Sequence, residues 1–357
     1  MLYNFLIMFN IFGSKKILGV DLGSKNIKIA EIEKYKNSFI LTNYIIIELE
    51  GGERISSLLE TSQIYEENLS KILENGFKEF KIKDVVYSVS IFYYFYTNFS
   101  LPYIPPNALK NAINFEYRKY IPVGYEKFQI EWRNIKHSPF NLEGQDKWLI
   151  FFTAIPESYL NKIKNISQLA KVRFQKAYPE FLTLEPFFKE NKENIILIDI
   201  GYSYSYAVLI KENQVINAKK FNLTTKNIID TLMNLLSVGH QEAEDFFIKK
   251  GFQIAPEELD LKKALGEIID NFSSQVLSLK ESWEATFGTK ISLIYLTGGL
   301  SLAKGLLDVV STKIPNISFA IFNPLEKNII PGDNIQNRLN GSVLVQAMGS
   351  CLKFFLS

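Results

Sequence analysis

Cysteine is almost missing from this sequence. Cys351 is the single example in 357 residues, which excludes an intramolecular disulfide and a metal cluster built from cysteines, and fits a cytoplasmic chain whose thiol stays reduced. Histidine is nearly as scarce. His137 and His240 stand far apart, neither in an H-E-x-x-H nor in a triad-like context, and each reads as a surface or satisfied structural residue. An excess of one charge is also lacking: 40 Lys and Arg against 38 Asp and Glu give a net charge of +2. With no polybasic block either, nucleic acid held on a basic face is not expected. No uncharged apolar run reaches the roughly 18 to 20 residues of a membrane-spanning helix. The apolar opening MLYNFLIMFNIFG has no basic n-region and no small-residue cleavage site, so it does not read as a targeting signal. Met8 offers a translation start that would give MFNIFGSKK; a short membrane-contacting segment is the other reading.

Apolar residues, by contrast, make up 47% of the chain, enough to bury the cores of two lobes. The stretch LGVDLGSKNIKIAEI, Leu18 to Ile32, runs apolar, turns at Asp21 to Ser24, and resumes with alternating apolar residues. Glycine tolerates positive φ and aspartate satisfies nearby backbone donors, so the stretch is a hairpin. Alone it reads as an ordinary turn or as a loop that holds phosphate. Ile195 to Lys211, IILIDIGYSYSYAVLIK, has the same plan, with Asp199 and Gly201 standing where Asp21 and Gly23 stand. An internal repeat of this kind predicts two similar lobes.

A third stretch, ISLIYLTGGLSLAKGLLDVV, reads as a buried strand, a glycine pair at Gly298 and Gly299, and a helix capped by Ser301. It lacks P-loop spacing. Leu265, Ile268, Ile269, Phe272, Val276, Leu279 and Trp283 fall at the three-and-four spacing of an amphipathic helix that Gly288 ends. Leu109, Ile113 and Tyr117 make a second, flanked on both sides by strand-like segments. The region from about Phe92 to Val172 therefore reads as an α/β insert between the repeats.

Two acid-glycine hairpins can hold a nucleotide triphosphate with Mg²⁺ if backbone amides and small side chains face the phosphates and the acids hold metal-bound water. A glycine pair gives the adenosine end a close backbone surface. Carrying these parts in this order, the chain resembles the actin, Hsp70 and sugar-kinase superfamily. The resemblance implies an α/β, actin/Hsp70/ribonuclease H-like duplicated fold of two lobes. It also implies ATP and Mg as cofactors, with Asp21, Gly23, Ser24, Lys28, Asp199, Gly201, Ser205, Gly298 and Gly299 as the nucleotide-binding residues. Asp21 and Asp199 would meet the metal through water.

The likeness narrows to the PilM family of type IV pilus assembly, and it covers nearly the whole chain. FGSKKILGVDLGSKNIKIAEIE looks like that family's opening. The insert LPYIPPNALKNAINFEYRKYIPVGYEKFQIEW is similar to its stretch of LP, an amphipathic helix and KYIP, carried here by Leu101, Pro102, Glu116, Tyr120, Ile121 and Pro122. QEAEDFF, LTGGLSLAKGL, FNPLE and AMGSCLKF follow in the family's order. The domains implied are a first lobe over 14–90, an inserted partner-binding subdomain over 91–172, a helical return to the first lobe over 173–193, a second lobe over 194–340 and a C-terminal helix over 341–357.

Tyr202 and Tyr204 depart from the small residues usual in the family's second hairpin, and Phe247 stands where a lysine is usual. Neither hairpin offers a general base beyond its aspartate, so ATP binding with slow or absent hydrolysis is expected. The resemblance implies a cytoplasmic scaffold, peripheral at the inner membrane, that binds the N-terminal cytoplasmic peptide of a PilN-like bitopic protein. The aromatic run Ile91 to Phe99 reads as lining for that groove or as a buried strand. Pilus assembly ATPases are further candidate partners, and self-association is left open. The alternatives are a small-molecule kinase of the same superfamily and an actin-like cell-division filament protein.

Overall fold

The computed structural model describes residues 15–49, 63–121, 127–135, 147–189, 193–327, 329–335 and 339–357. Met8, Pro122 and His137 lie outside the described residues. Along the chain the strands are β1 (Lys15–Leu22), β2 (Asn26–Tyr35), β3 (Ser38–Glu48), β4 (Asp84–Val89), β5 (Phe95–Pro102), β6 (Phe128–Asn134) and β7 (Lys147–Pro156). There follow β8 (Arg173–Pro179), β9 (Ile195–Ile200), β10 (Ser205–Lys211), β11 (Gln214–Phe221), β12 (Leu293–Thr297), β13 (Ser318–Ile321) and β14 (Ile330–Pro331).

The chain divides into two compact units, one of Met1–Val89, Asn161–Phe187 and Asn323–Ser357, the other of Ser90–Leu160 and Phe188–Phe322. In the first unit a six-stranded sheet runs β14-β3-β2-β1-β4-β8. The last six residues of β1 are all buried, because β1 pairs in parallel with β4 and the helix Val345–Leu356 covers it; a strand covered on both faces reads as a continuous apolar run. That helix, VQAMGSCLKFFL, buries its first eight residues in succession, so it is a core helix rather than an amphipathic surface one.

In the second unit a five-stranded sheet runs β11-β10-β9-β12-β13. The order β3-β2-β1-β4-β8 of the first unit is repeated strand for strand: an antiparallel hairpin, a third antiparallel strand on one side, two parallel strands on the other. The internal repeat of the sequence is thus a duplicated topology. The helix Leu259–Phe287 turns Leu265, Ile269, Phe272, Val276, Leu279 and Trp283 inward, and Gly288 ends it at a left-handed φ of 57°.

The same unit holds a separate three-stranded sheet, β5-β7-β6. The helix Pro106–Glu116 packs on one of its faces, where Phe99, Leu101, Leu109, Ile113, Ile121, Ile150, Phe152 and Ala154 form a core of their own. Ser301 differs from its expected role. It lies in the short 3-10 turn Gly299–Leu302, where its hydroxyl donates to the Gly298 carbonyl at 2.7 Å. The following helix begins at Leu306 behind Gly305, which has a left-handed φ of 76° and leaves no place for a serine cap.

Candidate functional site

Both acid-glycine hairpins share one register. Asp21 stands opposite Lys28 across β1 and β2, and Asp199 stands opposite Tyr206 across β9 and β10. What faces the acid differs. In the first unit Lys28 Nζ lies 2.9 Å from Asp21 Oδ2, and the carboxylate is 7% exposed; a cation thus compensates a nearly buried charge. In the second unit the register partner is a neutral phenol: the Tyr206 hydroxyl donates to Asp199 Oδ2 at 3.3 Å, with Asp199 9% exposed.

The turns are tied down from outside. Gly23 and Ser24 lie between β1 and β2, and Lys25 anchors that turn through an ion pair of 3.1 Å to Glu48 and a carbonyl that accepts from Leu49 N–H. In the second turn the Gly201 N–H donates to the Tyr204 carbonyl at 3.0 Å, while the Gly201 and Tyr202 carbonyls accept from Thr225 and Lys226 at the start of the helix Thr225–Leu236. The hairpin therefore caps a helix whose first N–H groups would otherwise lack acceptors.

Ser205 is fully buried, and its hydroxyl donates to the Leu223 carbonyl just beyond β11. Counting from the aspartates, Ser205 is the counterpart of Ile27, a core position. Ser203, which the sequence reading did not single out, has a buried hydroxyl with no hydrogen-bond partner within the turn or beyond it among the described residues. The same count of seven from Asp199 would have found Tyr206 as the residue facing the acid.

Tyr202 and Tyr204 are each held by a neighbour in their own unit. The Tyr202 hydroxyl is 2.6 Å from His240 Nε2, whose ring Nδ1 is 3.9 Å from Glu244. Tyr204 stacks on Tyr206 at 6.5 Å and meets Phe92 edge-on at 4.9 Å. Phe247 is buried and packs edge-on against Phe252 at 5.5 Å.

The structure brings Gly298 onto Asp199. Thr297 pairs with Asp199 across β12 and β9, and Gly298 follows at a φ of 84°. A Cβ placed on Gly298 would lie 2.4 Å from Asp199 Oδ1, whereas one on Gly299 would meet nothing within 4 Å. Gly298 is thus fixed by the fold, and Gly299 presents open backbone. A further buried polar cluster lies beside the first hairpin: Ser88, opposite Asp21 across β4 and β1, donates to Gln346 Oε1 at 3.3 Å, and Thr183 donates to the same oxygen.

No family model matches the chain, and no curated protein matches it in sequence. Among solved structures, a chain of the PilM-PilN type IV pilus biogenesis complex superposes with a TM-score of 0.77 at 15% identity, covering 94% of this chain and 98% of its own. The chain has a PilM-like, actin-like fold. The ethanolamine utilization protein EutJ from Carboxydothermus hydrogenoformans superposes less well, with a TM-score of 0.53 at 13% identity over 96% of this chain and 91% of its own.

Within this PilM-like fold the insert residues separate into two groups. Leu101 and Ile121 are core residues of the small sheet and its helix. Pro102 is exposed at the end of β5, Glu116 pairs with Lys119 at 2.7 Å, and Tyr120 stacks on Phe99 at 5.3 Å with its other face open. The run Ile91 to Phe99 divides likewise: Ile91, Tyr94 and Phe99 are buried, and Phe92 is 54% exposed. Phe115, 70% exposed, and Tyr103 are apolar surface residues of the same stretch, beside the six residues that carry the likeness. In this sheet β7 is central and β5 and β6 are the outer strands.

Each turn by itself carries groups that suit a phosphate: in the first unit the Lys28 cation, in the second the orphaned Ser203 hydroxyl and the open backbone of Gly299. No group of three or more His, Cys, Asp or Glu able to cage a metal occurs among the described residues; Asp21 in one unit and Asp199 in the other are each a single carboxylate, the kind of group that meets a hydrated Mg²⁺ through its waters. No helix among the described residues is long and apolar enough to cross a membrane.

Proposed function

We propose that this chain is a nucleotide-binding scaffold of type IV pilus assembly, peripheral at the cytoplasmic face of the inner membrane, which takes the short N-terminal tail of a PilN-like bitopic protein. The observation that carries the reading is the match along almost its whole length to a chain of the PilM-PilN complex. Two features add support. Both hairpins keep their aspartate, glycine and register, and the insert over 91–172 carries exposed rings at Phe92, Tyr103, Phe115 and Tyr120 and a small sheet whose outer strands are β5 and β6. An extended peptide adds to such an edge by backbone hydrogen bonds and fills pockets with alternate side chains.

Bound ATP-Mg supplies phosphate charge and a hydrated cation. Taken unit by unit, the first would offer Lys28 and the Gly23 backbone to a phosphate, and the second the Ser203 hydroxyl and the backbone of Gly201, Gly298 and Gly299. Within the hairpins themselves the aspartates are the only general-base candidates, and His240 beside the second turn is engaged by the Tyr202 hydroxyl, which supports binding over turnover.

Fluorescence titration of a labelled PilN-type tail peptide, with and without ATP-Mg, tests the reading. Saturable binding that falls on Phe115→Ser and Tyr120→Ser is expected, shifted by ATP-Mg by about 1 to 3 kcal/mol if typical linkage applies. Peptide binding unchanged by both substitutions would remove the groove assignment. Calorimetry with no ATP-Mg binding up to millimolar concentration would remove the nucleotide.

A further inference from the structure

Phe92 is 54% exposed, yet its ring is held in place. It sits in the 3-10 turn Ile91–Tyr93 that opens the insert, where the Ser90 hydroxyl accepts from its N–H at 3.5 Å. On either side Ile91 is buried and Tyr93 stacks on Tyr159 at 4.4 Å. The turn therefore presents the Phe92 ring to the rest of the second unit, to which all these residues belong. Two groups receive it. Tyr204 meets the ring edge-on at 4.9 Å and 79°, and the Lys220 ammonium lies 4.7 Å from its centroid, within reach of a cation–π attraction.

Both groups lead to Asp199. Tyr206 pairs with Lys220 on β11 and with Asp199 on β9, so the three form a row across the sheet, and side chains paired in this way share a face. Tyr204, two residues before Tyr206, stacks on it at 6.5 Å. The Tyr206 hydroxyl then donates to Asp199 Oδ2 at 3.3 Å, whereas a hydroxyl held fully by a carboxylate stands at about 2.5 to 2.7 Å. That slack gives the pair two arrangements, one drawn in and one released, and a ligand shifts an equilibrium only by favouring one of two states. The insert packs around a core of its own. It therefore answers as a body to its contacts with the sheet, which are the Phe92 ring and the Asn98 Nδ2 bond to the Ile216 carbonyl of β11 at 2.8 Å.

We propose that Asp199, Tyr206, Tyr204 and Phe92 form a relay through which charge compensation at Asp199, as by the hydrated cation of a nucleotide, loosens the insert from the sheet of the second unit. The carboxylate charge draws the Tyr206 phenol in. A cation that offsets the charge releases it, and the Tyr204 and Phe92 rings shift with it because stacked and edge-on rings keep a defined offset. The relay rests on the reading above for the identity of its ligand and adds to it the regulation of the insert. It can still fail or hold without nucleotide, since Asp199→Asn removes the same charge.

The test is hydrogen exchange of the full chain, read by mass spectrometry without nucleotide or peptide, on wild type, D199N, F92L and D199N/F92L. D199N should speed exchange over residues 91–102 about fivefold, the low end of typical coupling between sites, while the helix Leu259–Phe287 exchanges as in wild type. F92L should speed the same residues, and the double variant should add nothing further, as for residues acting through one chain of contacts. Y204L should behave as F92L and takes its place if F92L does not fold. ATP-Mg added to wild type should act as D199N does. The relay is overturned if D199N leaves residues 91–102 unchanged, if it speeds exchange alike throughout the unit, or if its effect multiplies with that of F92L. ATP-Mg that binds in calorimetry without altering the insert overturns it as well. ATP-Mg that does not bind removes the nucleotide reading instead, and the D199N comparison then decides the relay alone.

Discussion

A Cβ placed on Gly19 would stand 1.9 Å from the carbonyl oxygen of Ala347 and 2.7 Å from Cys351 Sγ. The helix Val345–Leu356 therefore lies directly on the backbone of β1, two residues before Asp21, and only glycine permits that approach. Gly19→Ala is expected to cost about 3 kcal/mol, since a buried helix and a buried strand must separate. Urea unfolding measures it; a midpoint within error of wild type would contradict the packing.

Gly298 and Gly299 should part company on substitution. Gly298→Ala meets Asp199 Oδ1 at 2.4 Å and the Ile200 carbonyl at 2.6 Å from a left-handed φ, so a loss of about 1 to 3 kcal/mol is expected. Gly299→Ala should stay within about 0.5 kcal/mol of wild type. If the adenosine end of a nucleotide lies on Gly299, Gly299→Val will weaken ATP-Mg binding in calorimetry while leaving the melting curve in place. Equal effects of the two alanines on stability would show the distinction to be wrong.

Cys351 is fully buried, with Sγ toward the carbonyls of Ile17 and Ala30, and burial pushes its thiol well above the ordinary range. A thiol-specific chromogenic reagent should therefore leave the folded protein untouched and react with one equivalent in denaturant. The single cysteine then reports the opening of the first unit, and rapid labelling without denaturant would refute its burial.

Glu284 ties the end of the helix Leu259–Phe287 to the chain beyond it, accepting from the Ile291 N–H at 2.7 Å and from Lys280 at 2.8 Å. Burial opposes its ionisation, but Lys280 and the Ile291 N–H outweigh it, so its carboxyl lies below the usual glutamate range. The sign follows: the contribution is fully present above about pH 4.5 and is lost as pH falls through the lower native value. Solvent screening keeps it below about 1 kcal/mol. Glu284→Gln should be less stable than wild type at pH 7 and indistinguishable from it near pH 3 by chemical denaturation; an equal gap at both pH values would exclude the ionised bond.

Much of the fold was legible because its signals are local. The two hairpins, the helix running to Phe287 and the helix after Pro105 are set by turn residues and by three-and-four spacing within a few residues of one another, and the duplication followed from counting Asp-x-Gly twice. The order of strands around each hairpin then repeated that count in space.

What only the tertiary structure decided depends on partners far away in the chain. The sequence gives Gly19 no visible role, because the oxygen that excludes a side chain belongs to Ala347. Ser205 rather than Ser203 resembled a phosphate ligand until the register with β9 put the former in the core and left the latter's hydroxyl free. Ser301 looked like a helix cap until Gly305 restarted the chain behind it. Lys28 and Tyr206, at the same offset from their aspartates, set two different charge environments that no motif distinguishes. Periodicity and turn chemistry are fixed by neighbours along the chain, whereas close approach and charge compensation are fixed by neighbours through space, and those are determined only once the whole chain has packed.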